Sequence, residues 1–229
     1  MWTAPKRAKV PRTPSVLIVQ CDTNKLRASG LAGAGSLATA TASLLDGVAP
    51  VDLVEATTSA DLEAQLGARR KRLYTTVVVI GHSNEDVIRV GSDKTLYWPE
   101  LPALLKGFKP RSIVIVGCKA GSNVNASQFF AQIPSVKDVY ASPVNARAVM
   151  LRALAPLLPV LATATKKDDE AIALMRFGTF LATDEALFRY ERKDWERWGE
   201  EHVAGVEMMD ALTPGVVQWA RNLKRGASK

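Results

Sequence analysis

The sequence has few of the residues that disulfide-rich, exported or membrane proteins use. Among 229 residues there are two cysteines, two histidines and no apolar run of the about 20 residues that a bilayer requires. Residues 1–14 carry basic side chains, but Cys21 and Asp22 end the short apolar stretch that follows. We therefore predict neither a secretory signal nor a disulfide framework, and expect a cytoplasmic protein.

Acidic residues are also fewer than basic ones. The 30 Lys and Arg residues against 23 Asp and Glu give a net charge of +7, a balance that nucleic-acid-binding proteins often show. Here, however, the basic residues are scattered over residues 1–13, 69–72 and 221–229, without the interleaved aromatic rings of a single-strand binding groove. We interpret the charge as a solvated surface and predict no nucleic-acid partner.

What the sequence does contain is an alternation of strand-like and helix-like segments. Strands are predicted at 15–22, 51–57, 74–83, 112–118, 136–144 and 158–166, a hairpin at 85–100, and helices at 29–47, 59–73, 98–108, 125–133, 146–157 and 168–182. This order predicts an α/β fold with a mainly parallel sheet. We expect a flexible basic arm at 1–13 and a single domain at 14–229, helical from about 184 onward.

One histidine and one cysteine follow two consecutive predicted strands. His82 comes after "VVVIG" and Cys118 after "IVIVG", each directly behind a glycine. Because the carboxyl ends of parallel strands lie at the same edge of a sheet, we expect the two side chains to meet there. An imidazole that accepts the proton of a thiol turns it into a nucleophile. The pairing favours catalysis over two unrelated core residues.

Around this pair the sequence resembles the caspase-like fold of clan CD cysteine peptidases, in particular its bacterial CHAT branch. The likeness covers residues 74–150: a strand ending at His82, a hairpin, a short leucine-containing helix, a strand ending in Cys118-x-x-Gly121, and the later strand "VYASPV". This chain has Ser83 where the family usually has glycine. The resemblance implies a three-layer sandwich, with helices on both sides of a mainly parallel sheet.

The resemblance also implies an activity, that of a cysteine endopeptidase without cofactor or metal. His82 would act as general base and acid, and Cys118 as nucleophile. The backbone N–H groups of Ser83 and Cys118 would bind the oxyanion. A protein or peptide is the implied substrate, and small peptidase-like domains of this kind resemble bacterial stress or phage-defence effectors that a partner or signal activates.

The pocket for the residue before the scissile bond is implied at the ends of the first strand and of the strands after the cysteine. Asp22, Ser142 and Asn145 are the candidates, with Thr163 and Thr165 as an alternative to the last two. Asp22 would favour a basic substrate residue, whereas the neighbouring Lys25 and Arg27 would favour an acidic one. The charge preference stays open.

Two other readings compete with the dyad. "GHSNE" resembles a nucleophile elbow with Ser83 as nucleophile and His202 downstream, but Glu85 stands where the elbow needs glycine, and a hairpin rather than a helix is expected next. A catalytically silent scaffold is the other alternative. We also predict that Cys21 is a buried packing thiol, and that Tyr97 and Trp98 pack the hairpin onto the sheet.

Overall fold

The computed structural model describes residues 15–21, 38, 39, 42, 49–91, 93–143, 188–199, 206 and 207. Its strands are β1 (Val16–Gln20), β2 (Val51–Glu55), β3 (Thr76–Ile80), β4 (Val87–Val90), β5 (Lys94–Tyr97), β6 (Ser112–Val116), β7 (Asp138–Ala141), β8 (Phe188–Glu191) and β9 (Val206–Glu207). The helices with described bounds are α1 (Ser59–Gly67), α2 (Glu100–Leu105), continued by a 3₁₀ turn (Lys106–Phe108), α3 (Asn123–Gln132) and α4 (Arg192–Trp198).

Seven of the described strands form one sheet in the order β2-β1-β3-β6-β7-β8-β9. The pairs from β2 to β7 are parallel, and β8 and β9 join antiparallel at one edge. The hairpin β4–β5 is a separate antiparallel pair. The mainly parallel α/β sheet predicted from the sequence is therefore confirmed.

The middle of the sheet is buried on both faces. Every residue of β1, β3 and β6 is buried, so these strands show no alternation of apolar and polar positions. At the outer strand β2, by contrast, only Val54 is fully buried. Large buried rings on the connecting segments, Trp98, Phe108, Phe129 and Phe130, complete the core. This packing holds β3 and β6 side by side at the centre of the fold.

The hairpin β4–β5 covers the carboxyl end of β1. The Gly91 N–H donates to the Cys21 carbonyl oxygen at 2.5 Å. Beyond the turn, the Asp93 carboxylate accepts hydrogen bonds from the Ser59 backbone N–H at 2.9 Å and its hydroxyl at 2.8 Å, at the start of α1. The ends of β3 and β6 lie farther along the same edge of the sheet.

The prediction of helix from about residue 184 is wrong for Phe188–Glu191, which form strand β8. The reason lies in a pattern of period two: Phe188 and Tyr190 share one face, with ring centroids 6.5 Å apart. From the other face, Arg189 pairs with Asp138 on β7 at 2.6 Å.

The helix predicted at 59–73 ends earlier than expected, at Gly67. The elements predicted at 146–157, 158–166 and 168–182, and the arm at 1–13, lie outside the described residues.

Replacing Gly91 with alanine should destabilise the fold. Gly91 has φ +59°, and a Cβ built there would lie 2.5 Å from the Thr58 Cα, so neither the backbone conformation nor the space suits a side chain. The left-handed conformation alone costs about 1–2 kcal/mol for alanine. We expect at least this loss in the free energy of unfolding, measured by urea denaturation.

Gly67→Ala is the matched control, because nothing lies within 4 Å of a Cβ at the end of α1. Its stability should equal or slightly exceed that of the wild type. Equal stabilities of the two variants would contradict the close contact between the hairpin and the start of α1.

Candidate active site

The parallel register of β3 and β6 brings the predicted histidine and cysteine to the same level. Pairing runs from Thr76 opposite Ser112 to Ile80 opposite Val116. His82 and Cys118 each follow the last paired residue by two positions, at the carboxyl edge of the sheet. His82 is exposed and Cys118 is half-buried. The two residues therefore follow neighbouring strand ends.

Glycines allow the two strand ends to touch. The Gly81 N–H donates to the Val116 carbonyl oxygen at 3.1 Å, which extends the contact between the strands. A Cβ on Gly117 would lie only 2.3 Å from the Ser83 Oγ and 2.9 Å from the Gly81 carbonyl oxygen. No other residue fits at 117 without moving one chain away from the other.

Ser83 joins the segment after β3 to the segment after β6. Its hydroxyl donates a hydrogen bond to the Cys118 carbonyl oxygen at 2.7 Å. Its backbone forms an antiparallel bridge with Ile88, and strand β4 follows. A nucleophile elbow needs a helix directly after its serine, so this geometry does not favour Ser83 as nucleophile. His202, the histidine that the nucleophile-elbow interpretation requires, lies outside the described residues.

An ion pair links the same two segments at the surface. The Lys119 Nζ lies 2.8 Å from a carboxylate oxygen of Glu85. Because each group hydrogen-bonds to the opposite charge, the pKa of Glu85 lies below its usual value and that of Lys119 above its own. The Glu85 side chain is 65% exposed and that of Lys119 39%, so solvent screens the pair and it adds little stability. The ion pair itself adds no net charge to the surface at the carboxyl ends of β3 and β6.

The side chain of Asn125, a buried amide on α3 that the sequence analysis missed, binds both the segment after β3 and the segment after β6. The Asn125 Nδ2 donates to the carbonyl oxygens of Glu85 and Ala120, each at 3.2 Å. The side chain is buried, and its backbone N–H is capped by the Ser122 hydroxyl at 3.0 Å. Its position four residues before the buried Phe129, on the apolar side of the helix, was the available signal.

Of the predicted pocket residues, the structure describes Ser142. Its carbonyl oxygen accepts a hydrogen bond from the Gly121 N–H at 2.8 Å, so it lies against the turn that follows Cys118. A Cβ on Gly121 would lie 2.7 Å from the Ser142 carbonyl carbon, which shows how closely the two segments pack. The remaining pocket candidates lie outside the described residues: Asp22, Lys25, Arg27, Asn145, Thr163 and Thr165.

Two other packing predictions are confirmed and one is wrong. Cys21 is buried, and it forms no disulfide with Cys118. Trp98 is buried and its indole N–H donates to the Asn84 carbonyl oxygen at 3.0 Å, so it packs the hairpin as predicted. Tyr97, however, is 63% exposed, because β5 alternates and its neighbour Leu96 takes the inward position.

The basic run 69–72 lies away from this edge. Arg69 donates to the carbonyl oxygens of Gln65 and Leu53, and Arg72 pairs with Asp52 at 2.6 Å near the amino end of β2. These two side chains thus serve local contacts.

Within the described ranges, no group of three or more His, Cys, Asp or Glu side chains could hold a metal ion. No helix of the described part has the length and apolar character needed to cross a membrane.

The sequence matches no protein-family model and no curated protein. Among solved structures, the fold is similar to the X-ray structure of an inactive zymogen of a C11 protease from Parabacteroides distasonis, with a TM-score of 0.53 at 12% sequence identity. The match covers 82% of this chain, which spans 65% of the length of that protein. At this identity the likeness shows the fold alone. The chain has an α/β fold of caspase-like architecture, with helices flanking a mainly parallel sheet.

Exchanging the Asn125 amide for a carboxyl group should destabilise the protein. Asn125→Asp keeps the size of the side chain but replaces the group that donates to two carbonyl oxygens. Leaving buried acceptors unpaired costs about 1–3 kcal/mol each. We expect a loss of this order in the free energy of unfolding at neutral pH, measured by urea denaturation.

Asn123→Asp is the matched control, since it makes the same chemical change at the first residue of α3. A carboxylate there meets the positive end of the helix dipole, so stability should stay constant or rise slightly. If Asn125→Asp were as stable as this control, the support from α3 to the two segments would be disproved.

Proposed function

We propose that this chain is a cysteine endopeptidase in which His82 and Cys118 form the catalytic dyad. The observation that carries the proposal is the register of β3 and β6, which ends both strands at the same level. Two positions after these ends stand an exposed imidazole and a half-buried thiol. Cys21, also at a strand end, is buried beneath the hairpin and is not part of the proposed dyad. The caspase-like protease fold supports the same assignment.

The chemistry needs only groups at this edge of the sheet. The imidazole of His82 takes the thiol proton, and the Cys118 thiolate attacks the carbonyl carbon of the scissile peptide bond. The backbone N–H groups of Ser83 and Cys118 are proposed to bind the oxyanion that develops. The imidazolium returns its proton to the leaving amine, and water then hydrolyses the thioester to regenerate the thiol.

The substrate we propose is a peptide segment bound beside β7, with Asp22, Ser142 and Asn145 around the residue that precedes the scissile bond. Ser142 lies against the turn after Cys118, which supports its place there. Because the charges of Lys119 and Glu85 compensate each other, this ion pair favours neither a basic nor an acidic substrate residue. Asp22 would select Arg or Lys, whereas a dominant effect of Lys25 and Arg27 would select Asp or Glu.

We further propose that the protein is a cytoplasmic effector of the CHAT branch whose protease activity depends on a partner protein or a signal, as in bacterial stress or phage-defence systems. The similar solved structure is described as an inactive zymogen, so a restrained state exists within this fold. The analogy to defence effectors is one of family level. A silent scaffold is the competing function, and labelling of the thiol separates the two.

The test is the intact mass of the full chain after incubation with peptidyl chloromethyl ketones that carry a basic, acidic or apolar terminal residue. We expect one adduct on Cys118, absent in Cys118→Ala and formed at the wild-type rate in Cys21→Ala, the matched control. His82→Ala should slow the reaction by about a hundredfold or more, since a general base contributes about 10²–10⁴. The preferred terminal residue reports the charge of the pocket.

Two results would contradict the dyad. One is equal labelling of Cys21 and Cys118, and the other is a wild-type rate in His82→Ala. If the folded wild type stays unlabelled by every peptide, both alone and with candidate partner proteins, a catalytically silent scaffold is favoured instead.

A further inference from the structure

The side chain of Ser83 has a role distinct from that of its backbone N–H. We propose, on the basis of the proposed function, that Ser83 is a positioning residue: its hydroxyl holds the peptide plane between Cys118 and Lys119 and thereby orients the nucleophile. The hydroxyl donates to the Cys118 carbonyl oxygen at 2.7 Å, and the serine is half-buried between the two strand ends.

The turn after Cys118 is strained and needs such a restraint. Lys119 has φ +52°, a left-handed conformation that costs a residue with a side chain about 1–2 kcal/mol. Rotation of the peptide plane between Cys118 and Lys119 would relieve this strain, but it would also change ψ of Cys118. Because the Ser83 hydroxyl bonds to the oxygen of that same plane, it opposes the rotation directly.

The space around Gly117 is shaped for this hydroxyl. A Cβ at 117 would lie 2.3 Å from the Ser83 Oγ and 3.3 Å from its Cβ, so the serine occupies the volume that a side chain at position 117 would fill. A glycine at 83 would leave this volume empty and would remove the donor to the Cys118 carbonyl oxygen. The serine thus provides a restraint that a glycine lacks.

Two other contacts act on the same turn but at other atoms. Lys119 reaches Glu85 through its side chain, and Asn125 binds the Ala120 carbonyl oxygen one peptide farther on. The Ser83 hydroxyl, by contrast, bonds to the carbonyl oxygen of the nucleophile itself. Loss of this bond should therefore alter the orientation of Cys118 while the fold persists.

The test compares wild type, Ser83→Ala, Ser83→Thr and Ser127→Ala. Ser127→Ala is the matched control, because it removes a buried hydroxyl on α3 that has no hydrogen-bond partner among the described residues. Amide hydrogen exchange is followed by mass spectrometry in the peptide that spans 118–121. Breaking one hydrogen bond of ordinary strength, about 1 kcal/mol, should raise exchange there about fivefold in Ser83→Ala. Ser83→Thr keeps the hydroxyl, so exchange in this peptide should stay at the wild-type rate.

A second readout separates positioning from a merely structural role. For a peptidyl chloromethyl ketone, Ser83→Ala should lower the maximal inactivation rate about tenfold, because a misaligned thiolate reacts more slowly, and leave the half-saturating concentration unchanged. Alkylation by iodoacetamide, which needs no alignment with a bound peptide, should keep its rate. Ser83→Gly replaces Ser83→Ala if the latter does not fold, because it also removes the hydroxyl that donates to the Cys118 carbonyl oxygen.

Each outcome bears on one of the two proposals. Unchanged exchange at 118–121 in Ser83→Ala, or a Ser83→Thr variant that behaves like Ser83→Ala, would overturn the positioning role. Faster exchange in a protein whose Cys118 no peptide labels would support the restraint while the protease proposal fails. An equal effect of Ser127→Ala would also overturn the role, because it would show a general loosening of the fold.

Discussion

The parallel pairing of β3 with β6 is the constraint on which the candidate site depends. Both strands are buried along their whole length, so a slip by one residue would move every side chain to the opposite, equally buried face, into packing space shaped for a different side chain. Gly81 and Gly117 then let the two chains run on in contact beyond the last paired residues. The histidine and the cysteine take their common level from this register, and every further contact of the site refines it.

Around that register the protein builds support from three directions. The hairpin β4–β5 covers the end of β1, the buried amide of Asn125 holds the segments after β3 and β6, and the end of β7 receives the turn after Cys118. Such hydrogen bonds are each modest, yet together they fix backbone that lies outside regular secondary structure. A strained residue such as Lys119 persists only where its surroundings are this well determined.

How much of this could be predicted follows from the range of the interactions involved. Nearly all-apolar segments identify β1, β3 and β6, and their order identifies the edge where His82 and Cys118 lie, because both signals are local. The roles of Ser83 and Asn125 arise from contacts over 35 and 40 positions, which a single sequence does not display. β8 was missed because its pattern of period two spans four residues beside a longer helical signal.

The most direct test of the central claim is a crystal structure of the full chain reacted with a peptidyl aldehyde. The account predicts a bond between the Cys118 Sγ and the aldehyde carbon, with its oxygen about 2.7–3.1 Å from the backbone nitrogens of Ser83 and Cys118. The His82 imidazole should lie within hydrogen-bonding distance of the adduct. An adduct on Cys21, or an oxygen that points away from both N–H groups, would contradict the account.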